Sequence, residues 1–220
     1  DFTGLGHSEG EFANTSFSSN VADLIAAAQY LASRNMAPQV LIGHSLGGAA
    51  VLRARAGIPS VKGVVTLGAP FDPAHVSHNF SGALAEIEAK GAAEVTLGGR
   101  PFTISQAFIE DIRSATLDLA IAQLNAALLV LHAPQDDIVG IENAAQIFTA
   151  AKHPKSFVTL DGTDHLISRA QDAEYAAEMI ATWAGRYIDM APPAPPPGAP
   201  EGVLQVSEVS PDGFLQDIQS

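Results

Sequence analysis

The sequence predicts an α/β fold whose sheet is mostly parallel. Hydrophobic residues make up 47% of the 220 residues and charged residues 16%, which is typical of a chain that buries a packed core. Short apolar runs alternate with helical segments, the pattern of strand–helix–strand units with parallel strands. Val40–Ile42 is apolar at consecutive positions, as are the first five residues of the predicted strand Ala127–His132. Such runs indicate strands that are covered on both faces.

The N-terminal part supplies a loop and the first strand–helix–strand unit. Residues 1–19 are rich in Gly, Ser, Thr and Asn and predict a loop that leaves a strand. Ser19-Asn20 is the predicted cap of a helix over Val21–Arg34. Next along the chain we predict strand Val40–Ile42, a glycine turn, helix Ala49–Ala56 and strand Val61–Leu67.

Residues 71–126 interrupt this alternation, and we interpret them as an insertion packed over the edge of the sheet. The segment Glu94–Ile104 alternates in period two around Gly98-Gly99, as a hairpin does. The predicted elements of the insertion are helix Ser81–Lys90, hairpin Glu94–Ile104 and helix Ser105–Asn125.

The alternation then resumes and completes an α/β domain over residues 1–190. Its last predicted elements are strand Ala127–His132, helix Glu142–Ala151, strand Ser156–Leu160 and helix Asp172–Tyr187. Residues 191–200 are proline-rich and predict an extended linker. Residues 201–220 are predicted to begin a further domain with a hairpin, in which Gly202–Val209 and Phe214–Ile218 flank the turn Ser210–Gly213.

The net charge and the composition argue against several kinds of binding partner and exclude sites that need cysteine. The net charge of −13 would repel nucleic acid and anionic membrane surfaces. No apolar run has the length of a membrane span. The absence of Cys excludes disulfides, thiolate metal sites and a Cys nucleophile within these residues. A cytoplasmic location is therefore expected.

Two pentapeptides match the Gly-x-Ser-x-Gly pattern of serine nucleophiles, Gly6–Gly10 and Gly43–Gly47. A nucleophile of this type stands on a sharp turn between an entering strand and a leaving helix. Ser45 has both a predicted strand before it and a predicted helix after it, whereas Ser8 has neither. We therefore predict Ser45 as the nucleophile and the N–H of Leu46 as an oxyanion donor.

A serine nucleophile needs a base and an acid, which in this order of elements follow later strands. The segment "LLVLHAPQDDIVG" offers Asp136 and Asp137 after one predicted strand. The segment "FVTLDGTDHLI" offers His165 after the next. We predict His165 as the base and Asp136 as the acid, with Asp137 as the alternative acid. Asp164 directly precedes His165, and a surface position is expected for it.

The other histidines receive weaker predictions. His44 is expected to pack or form a hydrogen bond inside the turn, and His7 to face the mouth of the pocket. His75 and His78 have the spacing of two metal ligands but no acid placed beside them. His132 and His153 are expected to be structural or exposed. We predict neither a metal nor an organic cofactor.

Taken together, four segments resemble the α/β-hydrolase superfamily: "DFTGLGHSEG", "LIGHSLGG", "LHAPQDDIVG" and "LDGTDHLI". The resemblance spans residues 1–188 and keeps the segments in the family's order. It implies the α/β-hydrolase fold and a triad of Ser45, Asp136 and His165. It also implies that the first segment is a loop without the nucleophile.

A narrower resemblance involves "GGRPFTI" and the linker with the following "GVLQVSEVSPDGFLQDI". These look like bacterial bifunctional proteins in which an α/β hydrolase is joined to an OsmC-like domain, a hydroperoxide reductase with paired cysteines. The resemblance implies a chain truncated at both ends and homo-oligomers formed through the OsmC-like domain. It also places strands and a second oxyanion donor before Asp1, so the 220 residues alone are expected to be weakly active or inactive.

The predicted function is hydrolysis of small-molecule carboxylic esters through an acyl-enzyme at Ser45. A thioesterase, amidase or peptidase would use the same triad, because the triad constrains acyl transfer and not the leaving group. A non-catalytic module that supports a downstream domain is the alternative from another class.

Overall fold

The computed structural model describes residues 2–97 and 100–189 and the backbone of two strands at 205–208 and 216–219. The chain divides into two units, Asp1–Ile188 and Asp189–Ser220. The strands of the first unit are β1 (Val40–His44), β2 (Gly63–Leu67), β3 (Ala92–Leu97), β4 (Arg100–Ser105), β5 (Ala127–His132) and β6 (Lys155–Thr159). Its α-helices are α1 (Phe17–Ser33), α2 (Leu46–Ala54), α3 (Leu84–Lys90), α4 (Gln106–Ser114), α5 (Asp118–Ala122), α6 (Glu142–Ala150) and α7 (Ala170–Ala184). Short 3-10 helices cover Phe12–Asn14, Arg55–Gly57 and Pro73–Ala83.

Four of these strands form a parallel sheet in the order β1-β2-β5-β6. The two inner strands, β2 and β5, are buried at every residue, whereas β1 and β6 are only partly buried. This difference explains why the inner strands are apolar at consecutive positions: both of their faces pack against helices. The predicted α/β fold with a mostly parallel sheet is confirmed.

The two faces of the sheet carry two separate apolar clusters. Val64 and Leu128 belong to the cluster shared with α2 and the insertion, while Val65 and Leu129 point into the cluster that contains Trp183 of α7. Neighbouring residues of a strand alternate between faces, so each inner strand contributes to both clusters. Burying one such side chain stabilises the fold by about 1.5–3 kcal/mol.

The insertion, residues 71–126, contains the predicted hairpin as an independent two-stranded antiparallel sheet of β3 and β4. Gly98-Gly99, its predicted turn, lies outside the described residues. The insertion contacts α1, α2 and the 3-10 turn Phe12–Asn14. One prediction here is wrong: Ser105–Asn125 is not one helix but two, because Ala115 has an extended backbone (φ −75°, ψ 129°) that ends α4.

Several predicted helix starts are also wrong: α3 begins at Leu84 instead of Ser81, because Ser81 belongs to a 3-10 helix, and α7 begins at Ala170 instead of Asp172. The first helix begins at Phe17, because Ser16 caps it: its hydroxyl accepts from the N–H of Ser19, and the Ser19 hydroxyl accepts from the N–H of Ser16. The predicted cap therefore lies inside α1. The second helix begins at Leu46 instead of Ala49, so that the glycines after Ser45 form its first turn.

The second unit contains β7 (Gln205–Glu208) and β8 (Gln216–Gln219), which pair antiparallel. This pairing confirms a hairpin in the region where one was predicted. Both the predicted linker, 191–200, and the predicted turn, Ser210–Gly213, lie outside the described residues. Across the described ranges, no helix combines the length and apolarity needed to cross a membrane.

Candidate active site

The backbone is strained where β1 passes into α2. Ser45 stands between the two elements with φ +52° and ψ −129°. A positive φ on a residue other than glycine costs about 1–3 kcal/mol and persists only where the surroundings enforce it. Here the N–H of Ser45 donates to the carbonyl of Leu67 at 2.9 Å, across the neighbouring strand. The turn therefore presents the Ser45 side chain at the carboxyl end of the sheet.

Two glycines allow the turn and helix to approach so closely. A Cβ atom on Gly43 would lie 2.3 Å from the carbonyl oxygen of Gly47, and one on Gly48 would lie 2.5 Å from the Cβ of Ala69. Both distances are too short for real atoms. A Cβ on Gly47, by contrast, would meet no atom within 4 Å. Gly43 and Gly48 are therefore the glycines that close packing requires.

Three side chains form a chain of hydrogen bonds at this end of the sheet. His165 Nδ1 lies 2.7 Å from Asp136 Oδ2, and His165 Nε2 lies 3.0 Å from Ser45 Oγ. Since a carboxylate only accepts, Nδ1–H donates to Asp136, which leaves Nε2 of the neutral ring to accept from the Ser45 hydroxyl. The structure thus brings together the three residues that the sequence analysis selected.

Asp136 is held firmly in the loop after β5. Its other oxygen, Oδ1, accepts from the N–H groups of Ile138 and Val139, each at 2.9 Å, and the residue is 8% exposed. Asp137 is exposed to solvent. Asp164 is exposed as well, and the hydrogen bond from the N–H of Ser168 lowers the pKa of its carboxyl. Of the three acids considered, Asp136 is the one that reaches His165.

Gly68 lies next to the hydrogen-bonded side chains of Asp136 and His165, and the sequence analysis did not single it out. It has φ +53°, and a Cβ atom there would lie 3.3 Å from both Asp136 Oδ2 and His165 Nδ1. A side chain would therefore press on the hydrogen bond between them. In the sequence, only the segment Gly68-Ala69-Pro70 directly after β2 marks this position, and it does not indicate a role in the site.

Next to Ser45 lies a pocket of about 470 Å³. Leu46, whose N–H belongs to the first turn of α2 and so has no acceptor within the helix, forms part of its wall. Most of the wall is apolar, and its side chains include Phe12, Leu46, Val76, Phe80, Ile104 and Phe108. Ile138 and Leu166 are exposed and also line it. Among the described residues no Lys, Arg, Asp or Glu lines the pocket.

Two further histidines support the loops of the site. His132 is buried, and its Nε2–H donates to the carbonyl of Val139 at 2.7 Å, which braces the loop that carries Asp136. His44 Nε2–H donates to the main-chain carbonyl of His165 at 2.7 Å. The predicted hydrogen-bonding role of His44 and structural role of His132 are confirmed.

His75 also reaches the loop that carries Asp136, because its Nε2–H donates to the carbonyl of Ile138 at 3.3 Å. His7 is exposed and does not belong to the wall of the pocket. The rings of His75 and His78 are 5.2 Å apart. Within the described ranges, no group of three or more His, Cys, Asp or Glu residues is arranged to hold a metal ion. His153 is exposed.

Comparisons with known proteins agree with this architecture. A model described as the alpha/beta hydrolase family matches residues 1–178. A solved structure of the esterase domain of a Rhodothermus marinus protein is 44% identical, with a TM-score of 0.65 over 81% of this chain and 73% of that chain. No curated protein matches the chain.

Two more distant structures are similar in fold alone. The mouse alpha/beta hydrolase domain-containing protein 10 is 23% identical, with a TM-score of 0.68 over 84% of this chain and 76% of that chain. A monoacylglycerol lipase of Paleococcus ferrophilus is 20% identical, with a TM-score of 0.66 over 83% of this chain and 80% of that chain.

Proposed function

The chain belongs to the alpha/beta hydrolase family, and we propose that it is a serine hydrolase that cleaves carboxylic esters. The observation that carries the proposal is the continuous hydrogen bonding from Ser45 through His165 to Asp136. In this arrangement a base can take the serine proton while a buried carboxylate fixes the orientation of the base. The 44% identical relative, an esterase domain by name, supports an ester as the substrate.

The proposed reaction runs through an acyl-enzyme. Ser45 Oγ attacks the ester carbonyl carbon as its proton passes to His165 Nε2, and the N–H of Leu46 binds the developing oxyanion. The C–O bond to the alcohol then breaks, and His165 returns the proton to the departing alkoxide. Water repeats the sequence on the acyl-enzyme and releases the acid. Asp136 stabilises the positive charge that His165 carries in between.

The pocket wall favours substrates that are uncharged and partly apolar. The side chains of Phe12, Phe80 and Phe108 would exclude water from a hydrocarbon or aromatic group. Among the residues that the structure describes, no Lys, Arg, Asp or Glu in the wall would pair with a charged substituent. We therefore propose a small neutral ester as the substrate class. Thioester, amide and peptide substrates stay as alternatives that a comparison of leaving groups would separate.

Three further predictions concern a second domain with its oligomers, the type of binding partner and the location in the cell. We propose, on the resemblance alone, that residues 201–220 begin an OsmC-like domain and that homo-oligomers form through it. The net charge of −13 supports a small-molecule substrate in preference to nucleic acid or an anionic membrane surface. A cytoplasmic location stays a prediction from composition.

Hydrolysis of p-nitrophenyl butyrate tests the proposal. We expect measurable turnover by the full chain and a loss of about three or more powers of ten in kcat in Ser45→Ala, because no other group can form the acyl-enzyme. The matched control is Ser8→Ala in the other pentapeptide, which is expected to retain full turnover. Undiminished turnover in Ser45→Ala would contradict the proposal.

A further inference from the structure

His44 forms a direct bridge between the turn that carries Ser45 and the loop that carries His165. It is the last residue of β1, and its Nε2–H donates to the main-chain carbonyl of His165 at 2.7 Å. The two imidazole rings also lie against each other, with centroids 4.9 Å apart and planes inclined by 46°. Because a carbonyl oxygen can only accept, the hydrogen resides on Nε2 of His44. His44 is thus bonded to the backbone of the very residue whose ring bonds Ser45.

Apart from the bond of the His165 ring to Asp136, the other hydrogen bonds of the loop that carries His165, residues 161–169, lie largely within the loop. Asp164 accepts from the N–H groups of Ile167 and Ser168, and the guanidinium of Arg169 donates to the carbonyl of Gly162. In the described part of the chain, the hydrogen bonds that join this loop to Gly43–Gly47 are those of His165 with His44 and Ser45. The placement of the His165 backbone against the turn of Ser45 therefore depends on the bond that His44 makes, while Asp136 orients the ring.

The loop that carries His165 has a strained backbone, and the bond from His44 helps to hold it in that conformation. Ile167 has φ +54°, a left-handed conformation that is unfavourable for a β-branched side chain. Residues in such conformations persist only where neighbouring contacts fix them. The bond from His44 to the His165 carbonyl is one such contact, and it acts on the backbone two residues before the strained position.

The charge of His44 is compatible with this role. Partial burial lowers the pKa of His44, and the nearby His165 lowers it further, while the bond to the His165 carbonyl and the charge of Asp136 raise it. With its pKa below the ordinary value, His44 is neutral at pH 7. A neutral ring can donate through Nε2 without opposing the positive charge that His165 acquires during the proposed reaction.

We propose that His44 is a positioning residue: through its hydrogen bond to the His165 carbonyl it holds the His165 ring within reach of Ser45. This inference rests on the proposed function, since it concerns the distance between the proposed base and nucleophile. His44 acts on the reaction only through His165. A neutral donor of similar reach at position 44 should therefore be able to replace the imidazole.

The test compares His44→Phe, which keeps a ring but no donor, with His44→Gln, which keeps an N–H donor. With p-nitrophenyl butyrate, His44→Phe is expected to lower kcat about tenfold, the effect of one lost hydrogen bond, with KM changed less than twofold. His44→Gln is expected to recover kcat to within about threefold of the original value. If His44 only packed against its neighbours, His44→Gln would not restore the kcat that His44→Phe loses.

Three controls separate the possible failures. His7→Phe, at the equivalent place in the other pentapeptide, is expected to leave kcat unchanged. Ser45→Ala in the same assay reports on the proposed function, so that persistent turnover there would refute the function and not merely the role of His44. Circular dichroism gives the folded fraction, and kcat is referred to folded protein. Full activity of folded His44→Phe, or equal losses in the Phe and Gln variants, would overturn the positioning role.

Discussion

The chain contains two pentapeptides, Gly-His-Ser-Glu-Gly at 6–10 and Gly-His-Ser-Leu-Gly at 43–47, that differ at one position and have different structures. The first lies in a loop with positive φ at Gly6 and Gly10, tied to itself by backbone bonds such as Ser8 N–H to the Leu5 carbonyl. The second lies between β1 and α2, where positive φ falls on Ser45 itself. The shared pattern does not determine the conformation of its serine.

The difference lies in what surrounds each pentapeptide. Around Ser45 the parallel pairing of β1 with β2 fixes the entering chain, and the packing of α2 fixes the leaving chain. The strain is therefore enforced from both sides. The first pentapeptide lies in a loop that follows Thr3, whose hydroxyl donates to the carboxylate of Asp23 in α1 at 2.9 Å. A Gly-x-Ser-x-Gly match therefore indicates a nucleophile only when the sequence predicts a strand before it and a helix after it.

Removing the acid behind Ser45 is expected to have the largest effect. Asp136→Asn should lower kcat for p-nitrophenyl butyrate by about four powers of ten, because an amide no longer fixes the ring of His165 in the productive tautomer. Asp137→Asn is the matched control. Since Asp137 is exposed and the hydrogen bond to His165 comes from Asp136, the Asp137 variant should stay within about threefold of the original kcat. The opposite ranking would assign the acid to Asp137.

The two glycines of the second pentapeptide should differ in their tolerance of a methyl group. Gly43→Ala would force a Cβ to 2.3 Å from the Gly47 carbonyl oxygen, and we expect a loss of about 3 kcal/mol in the free energy of unfolding. Gly47→Ala meets no atom within 4 Å and lies in α2, so a gain of about 0.5–1 kcal/mol is expected. Urea denaturation measures both. Equal losses of unfolding free energy in the two variants would show that the contacts of Gly43 do not explain its need for glycine.

The chain after the first pentapeptide is expected to contribute a pocket wall. Phe12 lines the pocket and packs edge-to-face on Phe102, with ring centroids 5.2 Å apart. Phe12→Ala should lower kcat/KM about tenfold for the p-nitrophenyl ester whose acyl chain fits the intact pocket, and shift the optimum towards longer chains. Phe2→Ala is the control, since Phe2 is also partly buried but does not line the pocket. An unchanged chain-length profile in Phe12→Ala would remove Phe12 from the substrate pocket.

Local pattern predicted some elements better than others for physical reasons. The bounds of β5 agree with those predicted, because Leu128–Leu131 is apolar at every position and lies between Asn125 and Pro134, residues that favour turns. The break between α4 and α5 was missed, since the residues there, Ala115 to Leu117, include neither Gly nor Pro. The start of α1 was missed because Ser16 and Ser19 are both good caps, and only their mutual hydrogen bonds select Ser16.

In the candidate site, too, some residues could be predicted from the sequence and others could not. Ser45, Asp136 and His165 could be selected because each follows a recognisable strand and keeps a fixed chain order. The support given by Gly68, and the bond from His44 to the His165 carbonyl, could not be derived in this way. His44 and His165 are separated by 121 positions, and their contact depends on how β1 and β6 are placed in the folded sheet. Long-range geometry of this kind leaves no periodic signal in the sequence.

The most direct test of the central claim is the site at which diethyl p-nitrophenyl phosphate modifies the full chain. In this reaction the serine Oγ forms a bond to phosphorus, and p-nitrophenolate leaves. Trypsin separates the two candidates, because cleavage after arginine places Ser8 in the peptide 1–34 and Ser45 in the peptide 35–53, where it is the only serine. We predict one diethylphosphoryl group, on Ser45. A label on the peptide 1–34, or none on 35–53, would contradict the assignment of the nucleophile.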